Sequence, residues 1–489
     1  MDRRFVLLFF FCAARISFAC DQSPTGLPLW IRLSNPISTY TAKPGDPVHA
    51  VLTQDLVCDE EVVLPMGAAV NGVVRSRRKV GWGIRHETAA LDLEFHSASS
   101  KSGETIPLVA RVEEVANARE TVRNGVIQGI RSSNTFQGRI NSRLIHLPTW
   151  NPYSDPVLVI YKAVFPIFPE PEIYYPAGTD IRLRMKSELL PSANTETDSA
   201  EPVVEIASLP MPMFPMREVS LDSATQPEQL DQLVDQMPLR VTTTKDIEAD
   251  LLNVVFLGSR EDVNSAFRHA GWNSADPASR WSALKSMYAL LNNSGYHQQP
   301  MMTFLLDGKP QDMSWQKSLN SYDRRDHLRI WRWTPNGSTQ SVWVSSSTQD
   351  TSAVLAVKYK GFVHHIAPDI DDERATVIRD LNFAGCVRSV SYISRSDMPL
   401  STHNATGDVM RTDGSVAVVR LQECRATVTQ ADSRSQIDFK AGNHTFRFFR
   451  RQILTFKNDI FRANIIYGAY DGGRMLVGAL RKRSRGVTP

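Results

Sequence analysis

From about Pro28 to Met185, apolar and polar residues alternate in short runs broken by Pro and Gly. IRLSNPISTYTAKPGDPVHAVLTQDLV, LPMGAAVNGVV, TAALDLEFHSAS and ETIPLVARVEEV are strand-sized. Each carries the period of two that turns one face of a strand to a core. Two runs echo each other: VVLPMGAAVNGVV and EIYYPAGTDIRLRM both place Pro-x-Gly just before an alternating strand. There Pro sets φ and Gly permits a positive φ, which makes a tight turn into the strand. RNGVIQGIRSSNTFQGRINSRL is rich in Gly, Asn and Arg and predicts a long loop or hairpin. VLVIYKAVFPIF (157–168) is interrupted by Lys162 and Pro166 and predicts a buried or interfacial strand. The region as a whole predicts an all-β barrel or sandwich.

The pattern changes near Pro191. PSANTETDSAEP is small and polar, and SLPMPMFPM repeats Pro every second or third position, so 191–238 predicts an extended linker. From Leu239 onward helix and strand signals mix. LLNVVFLGS predicts a buried strand ending at Gly258. Ser259 and Asp262 stand at capping-box positions for a helix carrying Val263 and Phe267 on one face, with Gly271 at its end. A second helix is predicted from Asp276 as N-cap and Pro277, with Trp281, Leu284, Tyr288 and Leu291 on one apolar face and ending at Gly295. MMTFLLDGKPQDMSWQK, HLRIWRW and SVWVSSSTQD predict strands, the last two joined around Pro335-Asn336-Gly337. GFVHHIAP leads into a third helix, DIDDERATVIRDLNFAG, followed by the strand RSVSYIS. A hairpin is expected around Asp413-Gly414, and two more around Ala441-Gly442 and Asp471-Gly472. The fold class is thus multidomain: a β-rich domain over 20–190, the linker, an α+β domain with an antiparallel or mixed sheet and about three helices over 239–425, and a β extension over 426–489.

The N-terminus carries the charged residues Asp2, Arg3 and Arg4, then the apolar FVLLFFFCAA, then Ser17-Phe18-Ala19. This predicts a secretory signal over 1–19, too short to span a bilayer. Ser17 and Phe18 depart from a lipoprotein signal, so a lipid anchor at Cys20 is not expected. No other segment is long and apolar enough to be a transmembrane helix. Export places the chain outside the cytoplasm, periplasmic or at the cell surface, where Cys20, Cys58, Cys386 and Cys424 could pair; pairing within domains gives Cys20–Cys58 and Cys386–Cys424.

Of the 489 residues 42% are apolar and 22% charged, and the net charge is only +3. No global field points to nucleic acid or anionic lipid, and the basic Arg481, Lys482, Arg483 and Arg485 form a local tail. HExxH, Walker A, GxSxG and GxGxxG signatures are absent, as is any CxxC pair. No cofactor is implied.

The densest polar cluster runs through GKPQDMSWQK, RRDHLRIWRW, STQD, HHIAPDIDDER and TDGSVAVV. With NVVFLGSREDVNSAFRHAGW before them, these stretches, over about Leu239 to Gln422, resemble the LssY C-terminal domain family in order, spacing and content. The resemblance implies no established activity. Members of that family often follow membrane-embedded portions, including phosphatase segments, whereas here a predicted exported β-domain precedes, so lipid-phosphate chemistry does not carry over. KPGDPVHAVLT, LPMGAAVNGVV and YPAGTDIRLRM are similar to turn-strand patterns of exported β-barrel modules, including the barrel component of type IV secretion cores.

Physically, His327, Arg329, Trp331 and Trp333 share one face of their strand, which is either a polar site with aromatic walls or a solvated outer face. His364 and His365 are adjacent and point to opposite faces, so at most one could join His327. Asp369, Asp371, Asp372 and Glu373 belong at a helix N-terminus, where carboxylates meet free N–H groups and the positive dipole end; no EF-hand glycine stands among them, and no metal is expected. Gly258-Ser259 either caps its helix or holds an anion. Two functions remain open. One is a non-catalytic binding or assembly module, meeting an envelope protein, glycan or membrane surface through residues such as Arg325, Arg329, Trp331 and Lys317. The other is a phosphoesterase-like hydrolase with His327 and His365 as bases or ligands, Asp350, Asp369 and Glu373 as carboxylates, and Arg325 or Arg329 holding an anion.

Overall fold

The computed structural model describes residues 28–58, 61–83, 85–99, 103–131, 169–186, 227–277, 279–292, 294–335, 342–356, 361–424 and 444–463. The alternating runs of the first region form β1 Pro28–Leu33, β2 Pro47–Leu52, β3 Ala69–Arg78, β4 Ala90–Ser99, β5 Thr105–Val115 and β6 Asp180–Met185. All pair antiparallel in the order β3-β2-β1-β6-β5-β4, and β4 pairs back onto β3. Of the two predicted architectures the chain therefore takes the barrel, which leaves no open edge. Leu29, Ile31, Leu33, Val70, Leu93, Phe95, Ile181 and Leu183 alternate inward and are fully buried. Each such side chain contributes about 1.5–3 kcal/mol on leaving water.

The Pro-Gly turns behave alike. Gly45, Gly67 and Gly178 have φ of 91°, 85° and 87°. Their N–H groups donate to Val74, Leu52 and Leu33 carbonyls at 2.8, 2.8 and 2.7 Å. Each turn leads into a barrel strand. Within β3, a Cβ at Gly72 would lie 2.5 Å from the Glu94 carbonyl oxygen, so only glycine lets β3 and β4 close together there. The RNGVIQ segment turns at Asn124-Gly125 as a hairpin, whose second arm, Val126–Gln128, adds to β4. The run 157–168 lies outside the described residues.

The second region builds a mixed sheet from β7 Val254–Leu257, β8 Met313–Lys317, β9 Arg325–Trp333, β10 Val342–Ala356, β11 Gly361–Ile366, β12 Val387–Ser394 and β13 Ser415–Leu421. Their order is β8-β9-β10-β7-β13-β12, with β11 on the far half of β10. Only β7–β13 is parallel among these pairs. The helices are α1 Pro227–Gln236, α2 Arg260–His269, α3 Arg280–Asn292, α4 Ile370–Phe383 and α5 His444–Ala463. α2 has the expected capping box: Ser259 Oγ accepts from the Asp262 N–H at 3.0 Å, and the Asp262 carboxylate accepts from the Ser259 N–H at 2.8 Å. α2 and α4 cover one face of the sheet, with Val263, Phe267, Val377 and Leu381 on Phe256, Leu328, Ile330 and Trp343. On the other face Trp331 and Val344 meet Val234 of α1 together with Val241, Phe304 and Met410. Among the described residues no helix is long and apolar enough to cross a membrane.

Several expectations need correction. α1 lies inside the span read as linker, and its Val234 is buried in the second domain's core. α3 starts at Arg280, with Ser279 Oγ accepting from the Ser282 N–H at 3.1 Å, while Asp276 instead accepts from Tyr296 and Lys285. The apolar face of α3 is turned outward. Trp281, Leu284 and Tyr288 are exposed, and Ser282, Ser286, Ala289 and Leu290 face inward; the Leu291 side chain lies outside the described residues. No hairpin forms at Asp413-Gly414: Val409–Arg411 pairs with Ser401–His403, and β13 enters the main sheet. The hairpin expected around Ala441-Gly442 is replaced from His444 on by the helix α5. TFRFF satisfies a period of two over a few residues, but Phe446, Arg450 and Leu454 recur every fourth, and this longer period prevails. Leu454 is buried in the barrel's core. The hairpin around Asp471-Gly472 lies outside the described residues.

Candidate functional site

The β9–β10 register aligns Arg325 with Asp350, His327 with Thr348 and Arg329 with Ser346, so one sheet face carries Arg325, His327, Arg329, Trp331 and Asp350 together. This face is buried, not a solvated outer face. Asp350 lies where β10 passes from β9 to β11, next to a register irregularity that places Asp350 opposite Ile366 and His364 opposite Ala353. His364 therefore shares the face with Asp350. His365 points away and bonds Asp408 through Nδ1 at 2.6 Å.

The Arg325 guanidinium donates Nε–H to Asp350 Oδ2 at 2.6 Å and Nη1–H to Gln316 Oε1 at 2.7 Å. His327 Nδ1 lies 3.6 Å from Asp350 Oδ1, and His364 Nδ1 lies 3.4 Å from Oδ2. His364 Nε2 meets the Gln299 amide nitrogen at 2.9 Å, where Gln299 donates and the ring accepts. That leaves the ring proton on Nδ1, facing the carboxylate. His327 Nε2 contacts Thr348 Oγ1 at 3.1 Å. Arg329 pairs with Asp250 at 3.4 Å, donates to the Met302 carbonyl at 3.1 Å and lies over the Phe304 ring.

Burial pushes His327 down to about 3 and His364 down to about 4, so both rings are neutral at neutral pH. Burial would raise the Asp350 carboxyl; His327, His364 and Arg325 beside it outweigh that and hold it below the ordinary carboxylate range. Two guanidinium groups thus face two carboxylates across neutral imidazoles. Asp350 and His327 are 2% and 3% exposed. Such a set can specify register and orient buried rings, and it leaves no net charge to attract a small ion.

A second buried network lies between the two domains. Arg32 of β1 bonds Asp180 of β6 at 2.7 Å and Asp380 of α4 at 3.1 Å. Lys317 of β8 reaches the same two carboxylates at 2.5 and 2.6 Å, and Trp272 Nε1 donates to Asp380 at 3.0 Å. Asn117, from the barrel side, donates to Asp326 at 2.7 Å and to the Lys317 carbonyl at 2.9 Å. Asn320 donates to Glu120 at 2.9 Å and accepts from the Arg119 N–H at 2.9 Å. Glu373 of α4 lies beside Asp326; burial, then the Asp326 carboxylate, pushes Glu373 well above the usual range. Arg379 of α4 lies over the Trp30 ring of β1. Beside this seam, a cleft of about 130 Å³ is lined by Arg119, Gln128, Ser321, Arg324 and Thr351 among others.

The expected site residues are therefore divided. His327, Asp350, Arg325 and Arg329 converge. His365 bonds Asp408. Asp369 caps α4, accepting from the Asp371 N–H at 3.2 Å. Glu373 and Lys317 serve the seam, and Trp331 is 1% exposed in the core. Sequence reading favoured His365 over His364 and missed Gln299, Gln316 and Asp250. Only for His364 was there a signal, the alternation of adjacent histidines, and the choice between them depends on register. Cys386 and Cys424 form a disulfide, which ties the end of α4 to the end of β13. The other suggested pair involves Cys20, which lies outside the described residues. Among the described residues no group of three His, Cys, Asp or Glu side chains is placed to hold a metal ion.

Residues 233–416 match the family described as the LssY C-terminus, in agreement with the resemblance read from the sequence. No curated protein matches the chain. Among solved structures, ComB10 of the Com type IV secretion system of Helicobacter pylori is similar at 15% identity with a TM-score of 0.19, over 33% of this chain and 85% of that one.

Proposed function

We propose that this chain is an exported cell-envelope protein that binds a partner and does not turn over a substrate. The observation that carries the reading is the closure of the polar set around Asp350. Its charged members are buried and each is matched by an opposite charge, and His364 keeps only 13% of its side chain exposed. A catalytic base must reach the substrate proton it takes and have a pKa near the working pH. His327 is buried, His364 is exposed only to that extent, and their pKa values are held down to about 3 and 4. The Cys386–Cys424 disulfide suits an oxidising compartment, as the predicted signal over 1–19 requires. On this reading 20–190 and 239–425 act as one body joined by the buried seam.

The test is turnover by the purified chain on phosphomonoester, phosphodiester and carboxyl ester substrates, compared with Asp350→Asn. Absence of turnover supports the binding reading, whereas turnover that Asp350→Asn leaves unchanged overturns it and places the chemistry away from Asp350. Turnover that disappears with Asp350→Asn in a folded variant ends it in favour of the hydrolase.

A further inference from the structure

α3 is turned inside out relative to its composition. Its inward positions are small or polar except for Leu290. Ser282 and Ser286 are buried, Ser286 bonds Tyr322, and Ala289 and Leu290 pack with Tyr322 and Ala353. Its outward positions are Trp281, Leu284, Met287 and Tyr288, exposed by 75%, 56%, 50% and 61%. In a helix, residues 281, 284 and 288 fall on one stripe. α5 approaches this surface, with Arg451 within electrostatic reach of Tyr288.

The charges of the patch have one sign. α3 carries Arg280 and Lys285 and no carboxylate between Arg280 and Asn292. α5 carries Arg447, Arg450 and Arg451 and no carboxylate between Thr445 and Leu454. Arg450 is committed to Glu170 and Glu172 of the barrel, and Lys285 pairs with Asp276 at the patch margin. Aromatic and aliphatic side chains projecting from a helix, flanked by cations, match the interface of an anionic bilayer. There Trp and Tyr sit at headgroup depth and the cations meet lipid phosphates. A second copy of the chain would bring Arg280 and Arg447 against cations of the same kind. Trp281 projects outward, which suits insertion better than enclosure of a small molecule.

We infer that the Trp281–Leu284–Met287–Tyr288 face of α3 docks the protein onto an anionic phospholipid surface. This deepens the binding reading by naming its partner, and takes the envelope setting from it. Docking places α3 in the plane of the membrane and orients the two domains on it.

The experiment is co-sedimentation of the full chain with vesicles of phosphatidylcholine containing phosphatidylglycerol, against vesicles of phosphatidylcholine alone. The chain is expected to partition onto the anionic vesicles, more weakly as salt rises. Trp281→Glu with Leu284→Glu should lower the partition by about tenfold or more. Arg280→Gln should lower it by about fivefold and reduce its salt dependence. All three positions are exposed, so folding is checked simply by an unchanged melting temperature. Wild-type chain that stays in the supernatant, or a double variant that partitions like wild type, overturns the inference. So does an oligomer, seen in light scattering, that the double variant dissolves without any lipid binding. Asp350-dependent turnover would end the non-catalytic reading and leave the vesicle result standing; failed vesicle binding leaves the turnover result standing.

Discussion

The two buried charge networks solve the same electrostatic problem in opposite ways. Inside the second domain, Arg325 and Arg329 face Asp350 and Asp250, and the excess polar groups are imidazoles that burial keeps neutral. At the seam, Asp180, Asp380, Asp326 and Glu373 outnumber Arg32, Lys317 and Arg379, and the excess is relieved by a proton held on a carboxyl. The first network is balanced within the second domain, with Asp350 on the main sheet and Asp250 on the adjacent strand Glu248–Leu251. The seam network is complete only when barrel and second domain meet, because Arg32 of the barrel then also pairs with Asp380 and Lys317 of the second domain with Asp180. The first therefore specifies a register within a fold, and the second specifies a pairing of folds.

The sharpest way to break this comparison is Asp380→Ala. It leaves Arg32 and Lys317 sharing Asp180 alone, and a buried pair broken on one side costs about 3–5 kcal/mol. Calorimetry should then show the single transition separating into two, one per domain. Asp350→Asn strands Arg325 in the sheet and should cost about 3 kcal/mol, lowering the second domain's transition without separating the two. If both variants separate the transitions, the distinction between register and pairing is lost. Reducing the Cys386–Cys424 disulfide, which closes a segment with a sequence separation of 38, should cost about 2–4 kcal/mol and act on the second domain alone.

Acidity separates the networks by sign. His327 and His364 have folded pKa values of about 3 and 4, below 6.5. Between pH 6.5 and 4 the unfolded chain binds protons that the folded chain does not. Stability contributed by the sheet is thus complete above about pH 6.5 and falls as pH drops, by up to about 1.4 kcal/mol per pH unit for each ring. Glu373 is raised above 4.5, so the folded chain keeps a proton that the unfolded chain loses. At the seam stability falls as pH rises past 4.5. Urea melts across this range should lose about half of their acid-side slope in His327→Gln, the rest belonging to His364, and their alkaline-side loss in Glu373→Gln. Glu373→Gln should also stabilise the protein at neutral pH by about 1 kcal/mol, since a neutral side chain no longer needs the proton. The smallest effect expected is that of Trp281→Glu, within about 0.5 kcal/mol, because the side chain already lies in water.

Much of this architecture was legible in the residues. The period-two runs of the first region became barrel strands, and the Pro-Gly turns took the positive φ that only glycine adopts cheaply. The capping box of α2 and the acidic N-terminus of α4 are local chemistry, satisfied within a few residues of chain. Tertiary structure overruled local pattern in three places. α3 carries an apolar stripe at helical spacing, but its serines face inward because Tyr322 and the polar end of β10 lie beneath them. α5 reads as alternating over five residues and as helical over twenty. The Asp413-Gly414 dipeptide reads as a hairpin, yet its flanking strands join different sheets.

The candidate site divides along the same line. That His327, Arg329 and Trp331 share a face follows from the strand period, and that Asp369 caps a helix follows from its position before α4. Sequence alone therefore determined the barrel strands, the main helices and sheet of the second domain, and the composition of its polar face. Only the tertiary structure decided that this face is buried, that His364 and not His365 meets Asp350, and that Arg32 meets Asp380 across a sequence separation of 348. The reason is physical: a period or a cap depends on neighbours within a turn of chain. Burial, register across a sheet and the partner of a buried charge depend on which distant surfaces meet, and no local pattern encodes that meeting.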